Sequence, residues 1–102
     1  MEHVDDHSFE STVLGSAQPY LLDFSAVWCP PCRALEPILE SIAQEHSGQL
    51  RVGKIDIDSS PEVAARYGVR GAPTLVLFRD GKEAARRLGL TSKRALLQLL
   101  GL

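Results

Sequence analysis

At 102 residues, 44% of them hydrophobic and 24% charged, the chain has the length and apolar content to fold around a core of its own without a staple. A formal net charge of -2 with both signs interspersed excludes the broad field that gathers nucleic acid or anionic lipid, so the expected partner is a protein or a small thiol. The segment Met1-Glu2-His3-Val4-Asp5-Asp6 has neither the basic nor the apolar region of a signal peptide, and no run nears the roughly 18 apolar residues of a membrane span, which predicts a cytoplasmic address and no membrane partner.

The punctuation is even from end to end, with no repeat, low-complexity tract or linker, and predicts a single domain over residues 1–102. Met1 to Val4 is a very short first strand at best. Asp6 or Ser8 is placed to cap a short helix through Phe9, Val13 and Leu14 that stops at Gly15. Tyr20-Leu21-Leu22-Asp23-Phe24 reads as a buried strand. After Cys32, the apolar residues Leu35, Ile38, Leu39, Ile42 and Ala43 recur with helical spacing, and Pro37 among them predicts a kinked helix ending near His46-Ser47-Gly48.

Leu50 to Ile57 is strand-like, and Ser60-Pro61-Glu62 starts a short helix capped by Ser60 and ended by Gly68. Thr74 to Phe78 is the next apolar strand, and Asp80-Gly81 signals a tight hairpin returning it from Glu83 towards Leu88. A last helix starts near Thr91, with Leu96, Leu97, Leu99 and Leu100 covering a sheet face and Lys93 and Arg94 in solvent. Crossovers followed by a hairpin predict an α/β fold: a central mixed sheet of four to five strands flanked by helices on both faces.

The chain has two cysteines, Cys29 and Cys32, inside Trp28-Cys29-Pro30-Pro31-Cys32-Arg33, where a buried strand hands over to a helix. A bridge across so small a loop removes little entropy from the unfolded chain, which makes stapling a poor explanation. Zinc fits no better, because only His3, His7 and His46 could supplement the two sulfurs and their spacing is wrong for a closed site. The helix N-terminus favours a thiolate at Cys29, and Cys32 stands one turn deeper, close enough to resolve a mixed disulfide. Pro30 and Pro31 remove backbone donors beside that sulfur and stiffen it.

Together with Leu22-Asp23-Phe24, Pro37-Ile38-Leu39, Lys54-Ile55-Asp56-Ile57-Asp58, Gly71-Ala72-Pro73-Thr74, Asp80-Gly81 and Gly89, these residues resemble the thioredoxin family over nearly the whole length. The resemblance implies the thioredoxin fold and a protein-disulfide reductase that binds no cofactor, its redox group being the Cys29–Cys32 pair. It implies disulfide-containing client proteins and an NADPH-dependent thioredoxin reductase as partners; nothing in the sequence suggests more than a monomer.

Residue by residue, Asp23 matches the family's buried carboxylate, proposed to accept the Cys32 proton, and Lys54 the lysine that approaches it. Pro73 matches a cis-proline facing the cysteines, and the backbone at Ala72 before it pairs with extended substrate. Trp28, Pro30, Pro31 and Gly89 belong to the same substrate-binding face. Read without the family, Asp23 is a half-buried acid bonded to backbone, Lys54 a lysine lying along apolar surface with its head in water, and Trp28 packing.

The departures from the family pattern are Pro30 in place of glycine, Ser25 in place of a second tryptophan, and a small Ala72 before the proline. Pro30-Pro31 also occurs in thioredoxin-like reductases of the cell envelope. A dedicated envelope reductase or oxidant is therefore one alternative, and a redox-independent protein-binding module is the other.

Overall fold

A sheet covered on both faces needs strands that are apolar on both sides, and the sequence supplies them at Tyr20–Phe24 and Thr74–Phe78. In the computed structural model, which describes residues 1–102, the strands are β1 (Glu2–Val4), β2 (Tyr20–Ser25), β3 (Arg51–Asp56), β4 (Thr74–Arg79) and β5 (Lys82–Leu88). The helices are α1 (Pro30–Glu45), α2 (Pro61–Arg66) and α3 (Lys93–Leu100), and a wide helical turn spans Glu10–Leu14. The strands form one sheet in the order β1-β3-β2-β4-β5, parallel across β1, β3 and β2 and antiparallel at β4 and β5. This is the expected mixed sheet, and Glu2–Val4 does join it, in register with Gly53–Ile55.

Alternation along β2 divides the core. Tyr20, Leu22 and Phe24 bury with Phe9, Val13, Val63, Val76 and Phe78 on one face, where Phe9, Tyr67 and Phe78 meet edge to face. Leu21 buries on the other face with Leu35, Leu39 and Ile42 of α1 and Leu96 and Leu100 of α3. Each such side chain contributes roughly 1.5–3 kcal/mol on leaving water, which holds α1 against the sheet. Helices therefore cover both faces. At the hairpin, Asp80 and Gly81 both take positive φ, 54° and 77°, the backbone that a two-residue turn between twisted strands requires.

Three local expectations need correction. Asp5, rather than Asp6, caps the first turn, accepting from the His7 and Ser8 N–H groups, while Ser8 Oγ accepts from the Asp5 N–H. Asp6 is used elsewhere: its carboxylate accepts from the Glu62 and Val63 N–H groups and caps α2, where Ser60 makes no side-chain cap bond. Lys93 is not free in solvent but donates to Glu45 and Ser41, tying α3 to α1. Pro37 lies inside α1, which continues through it to Glu45, with its missing N–H on the exposed side of the helix.

Candidate functional site

Cys29 is the N-cap of α1. Its backbone is extended (φ -104°, ψ 103°), and its sulfur accepts the Cys32 N–H at 3.2 Å, as Ser92 Oγ accepts the Ala95 N–H at the start of α3. Pro30 and Pro31 fill the first two helical positions, so neither offers a donor and the Cys32 N–H is the first available to that sulfur. The two cysteines are joined as a disulfide, with Cα atoms 5.3 Å apart, and each is only 2% exposed. They form a small buried cluster with Ala26, against which Ile57 and Ala72 pack.

The segment before β4 closes the site from the other side. Ala72–Pro73 is a cis peptide, and the Ala72 carbonyl oxygen stands 3.5 Å from Cys29 Sγ, where a reduced thiol can donate to it. The Pro73 carbonyl accepts from Gly89 N–H at 2.9 Å, which fixes the end of β5 beside it. Trp28 is 59% exposed and is held by its indole N–H, which donates to Asp58 Oδ2 at 2.7 Å. Val27, Leu88 and Leu90 are also exposed, Val27 just before Trp28 and Leu88 at the end of β5 opposite Thr74.

Asp23 is fully buried, and neither carboxylate oxygen has a hydrogen-bond partner. Burial pushes its pKa up to about 7; Glu36 adds to the rise and Lys54 opposes it. Lys54 opposes the rise as the resemblance implied, but it makes no hydrogen bond to Asp23. Its ammonium donates to Glu36 Oε1 at 2.6 Å. Cys32, Glu36 and Lys54 line one groove of about 460 Å³ that runs between α1 and β3.

The structure thus gathers Cys29, Cys32, Ala72 and Pro73, holds Gly89 to Pro73, and places Asp23 on the sheet face that α1 covers. Pro30 and Pro31 are exposed on the helix start. Sequence reasoning missed Glu36 and Asp58. Glu36 had a signal, since it follows Cys32 by one helical turn and so shares its face of α1. Asp58 had none. No three His, Cys, Asp or Glu side chains converge to hold a metal ion, and no helix is long and apolar enough to cross a membrane.

The family model described as thioredoxin matches residues 1–101. The chain belongs to the thioredoxin family. It is 48% identical over 98 residues to a thioredoxin of Acidithiobacillus ferridurans, spanning 96% of this chain and 91% of that one. A thioredoxin of Pseudomonas aeruginosa is 43% identical over 98 residues, with the same shares covered, and one of Mycobacterium bovis is 46% identical over 97 residues, covering 95% of this chain and 84% of its own. With the Cys29–Cys32 pair at the start of α1, membership makes the protein a thiol–disulfide oxidoreductase that reduces protein disulfides. Its redox group is that disulfide, and its partners are disulfide-containing proteins.

Proposed function

We propose that Cys29 is the attacking thiolate and Cys32 the resolving thiol of a general cytoplasmic reductant, with Asp23 as the base that serves Cys32. In the first step Cys29 Sγ bonds to one sulfur of the client disulfide, and the other client sulfur leaves as a thiolate and takes up a proton. In the second step Cys32 gives its proton to Asp23 and attacks Cys29 Sγ, and the remaining client sulfur departs. The departing client thiolate is protonated in its turn, so the client gains two electrons and two protons. The protons match the one Cys29 gave up on becoming a thiolate and the one Cys32 gives up through Asp23, and the protein is left in the oxidised form seen here. A thioredoxin reductase drawing on NADPH returns the dithiol.

The observation that carries this reading is the N-cap position of Cys29, where the Cys32 N–H already points at its sulfur. Asp23 is the only buried carboxyl in the chain, and its position near neutrality suits proton transfer at working pH. Substrate docks as an extended segment against the backbone at Ala72 and Pro73, between Trp28 and Gly89, over Pro30 and Pro31. Lys54 is left with an indirect part, through the field it exerts on Asp23.

Trapping tests the assignment. With a disulfide-bonded client protein, Cys32→Ser is expected to accumulate a mixed disulfide through Cys29, and Cys29→Ser to form none and to lose reductase activity. Retention of reductase activity by Cys29→Ser would overturn it.

A further inference from the structure

Three ionisable side chains meet in the α1-facing layer, and only two of them are paired. Asp23 on β2 and Lys54 on β3 are register partners, so their side chains leave the sheet on the same face, from strands roughly 4.8 Å apart. At that separation a lysine can reach the carboxyl across from it. It does not: Lys54 Nζ is 2.6 Å from Glu36 Oε1, with 28% of the Lys54 side chain and 39% of the Glu36 side chain exposed. Both Asp23 oxygens are left bare.

We propose that Glu36 is a positioning residue that holds the Lys54 ammonium off Asp23 and so keeps the Asp23 carboxyl unpaired in the oxidised protein. Glu36 follows Cys32 by one helical turn, which puts a carboxylate on the α1 face directed at β3. Two effects then act together on Asp23. The ammonium that would stabilise its charged form is occupied, and a second negative charge stands nearby that disfavours that form.

The other charged groups around this layer are already committed or carry no charge. Asp56, further along β3 on the same face, accepts from the Asp58 and Ser59 N–H groups. Arg33 of α1 is exposed and its guanidinium donates to the Val27 carbonyl. From β4 the register partner of Asp23 is Leu75, which does not titrate. Cys32, in the disulfide, does not titrate either. Glu36 is therefore the group that decides where Lys54 goes.

The inference rests on the proposed role of Asp23 only for its catalytic consequence, so the two are tested by separate readouts. The first is the Asp23 titration followed by its carboxyl carbon NMR signal in the oxidised protein, for wild type, Glu36→Gln, Lys54→Met and the double variant. Glu36→Gln keeps the shape of a half-exposed side chain and is expected to lower the Asp23 midpoint by about one pH unit or more as Lys54 swings across.

Loss of the Glu36 charge alone would also lower the midpoint somewhat, and the double variant separates the two causes. Lys54→Met is expected to raise the midpoint more in the Glu36→Gln background than in wild type. An unmoved midpoint in Glu36→Gln, or an equal effect of Lys54→Met in both backgrounds, would overturn the proposal. The second readout is the pH profile of mixed-disulfide resolution at Cys29. If the NMR midpoint moves and this profile does not follow, the role of Asp23 as base fails while the control by Glu36 stands.

Discussion

Tyr20 and Asp23 are both buried polar residues of β2, on opposite faces of the sheet, and the fold treats them in opposite ways. The Tyr20 hydroxyl donates to Glu2 Oε1 at 2.6 Å, Arg51 binds the same carboxylate, and the Arg51 guanidinium lies 5.1 Å from the Tyr20 ring centre. Burial, together with the Glu2 bond and charge, holds the phenol well above its ordinary range, so it stays neutral at any working pH. Glu2 is held below its ordinary range, burial working against its bonds to Tyr20 and Arg51 and losing. Asp23 has no such partners, and nothing offsets its burial except a lysine committed elsewhere. A polar group that serves the fold is satisfied by it. A buried carboxyl that is left bare lowers stability, and at Asp23 that bareness fits the base proposed above.

The largest expected effect comes from abolishing the contrast at Asp23. Unfolded, the carboxyl loses its proton near pH ~4; folded, it does so at about 7. The native state therefore binds this proton more tightly. Its contribution does not lower stability below pH ~4, stability falls as the pH rises from there to about 7, and the loss is complete above that. Asp23→Asn is expected to raise the unfolding free energy at pH 8 by up to about 4 kcal/mol and to leave it nearly unchanged at pH 4, as read by denaturant melts at both pH values. An equal change at both would show that Asp23 is not held in its neutral form.

The satisfied side of the comparison breaks in smaller steps. A Cβ added at Gly53 would fall on the Tyr20 hydroxyl and stand 3.1 Å from the Glu2 carbonyl oxygen, so Gly53→Ala is expected to cost about 1–3 kcal/mol. Tyr20→Phe removes one hydrogen bond and is expected to cost about 1 kcal/mol, independent of pH from 5 to 9. Combined, the two should cost less than their sum, because the ring without its hydroxyl makes room for the new methyl. Thermal melts of the three variants at one pH read all of this.

The sequence shows most clearly what its neighbours along the chain determine. The apolar runs of β2 and β4, the helical stripe from Leu35 to Ile42, the Asp80-Gly81 turn and the Cys29–Cys32 spacing all carry local signals, and each is where it was expected. Caps were less legible, because the backbone donors of α2 are met by Asp6 from far along the chain rather than by Ser60 next to them. Long charged side chains were the hardest. Lys54 does stand opposite Asp23, and Lys93 was expected in solvent, but the ammonium of each bonds a glutamate on α1 that only the tertiary fold brings near. Asp23 itself could be singled out as an acid in an apolar strand, but its isolation depends on Glu36 and could not.

The most direct test is the rate at which the mixed disulfide on Cys29 is resolved by Cys32, followed by stopped flow from pH 5 to 9 in wild type and Asp23→Asn. The wild-type rate is expected to rise through about pH 7 as Asp23 becomes able to take the Cys32 proton, and Asp23→Asn to be about a hundredfold slower at pH 7 with that rise gone. Superimposable profiles would contradict the account and leave the bare carboxyl without a role in the chemistry.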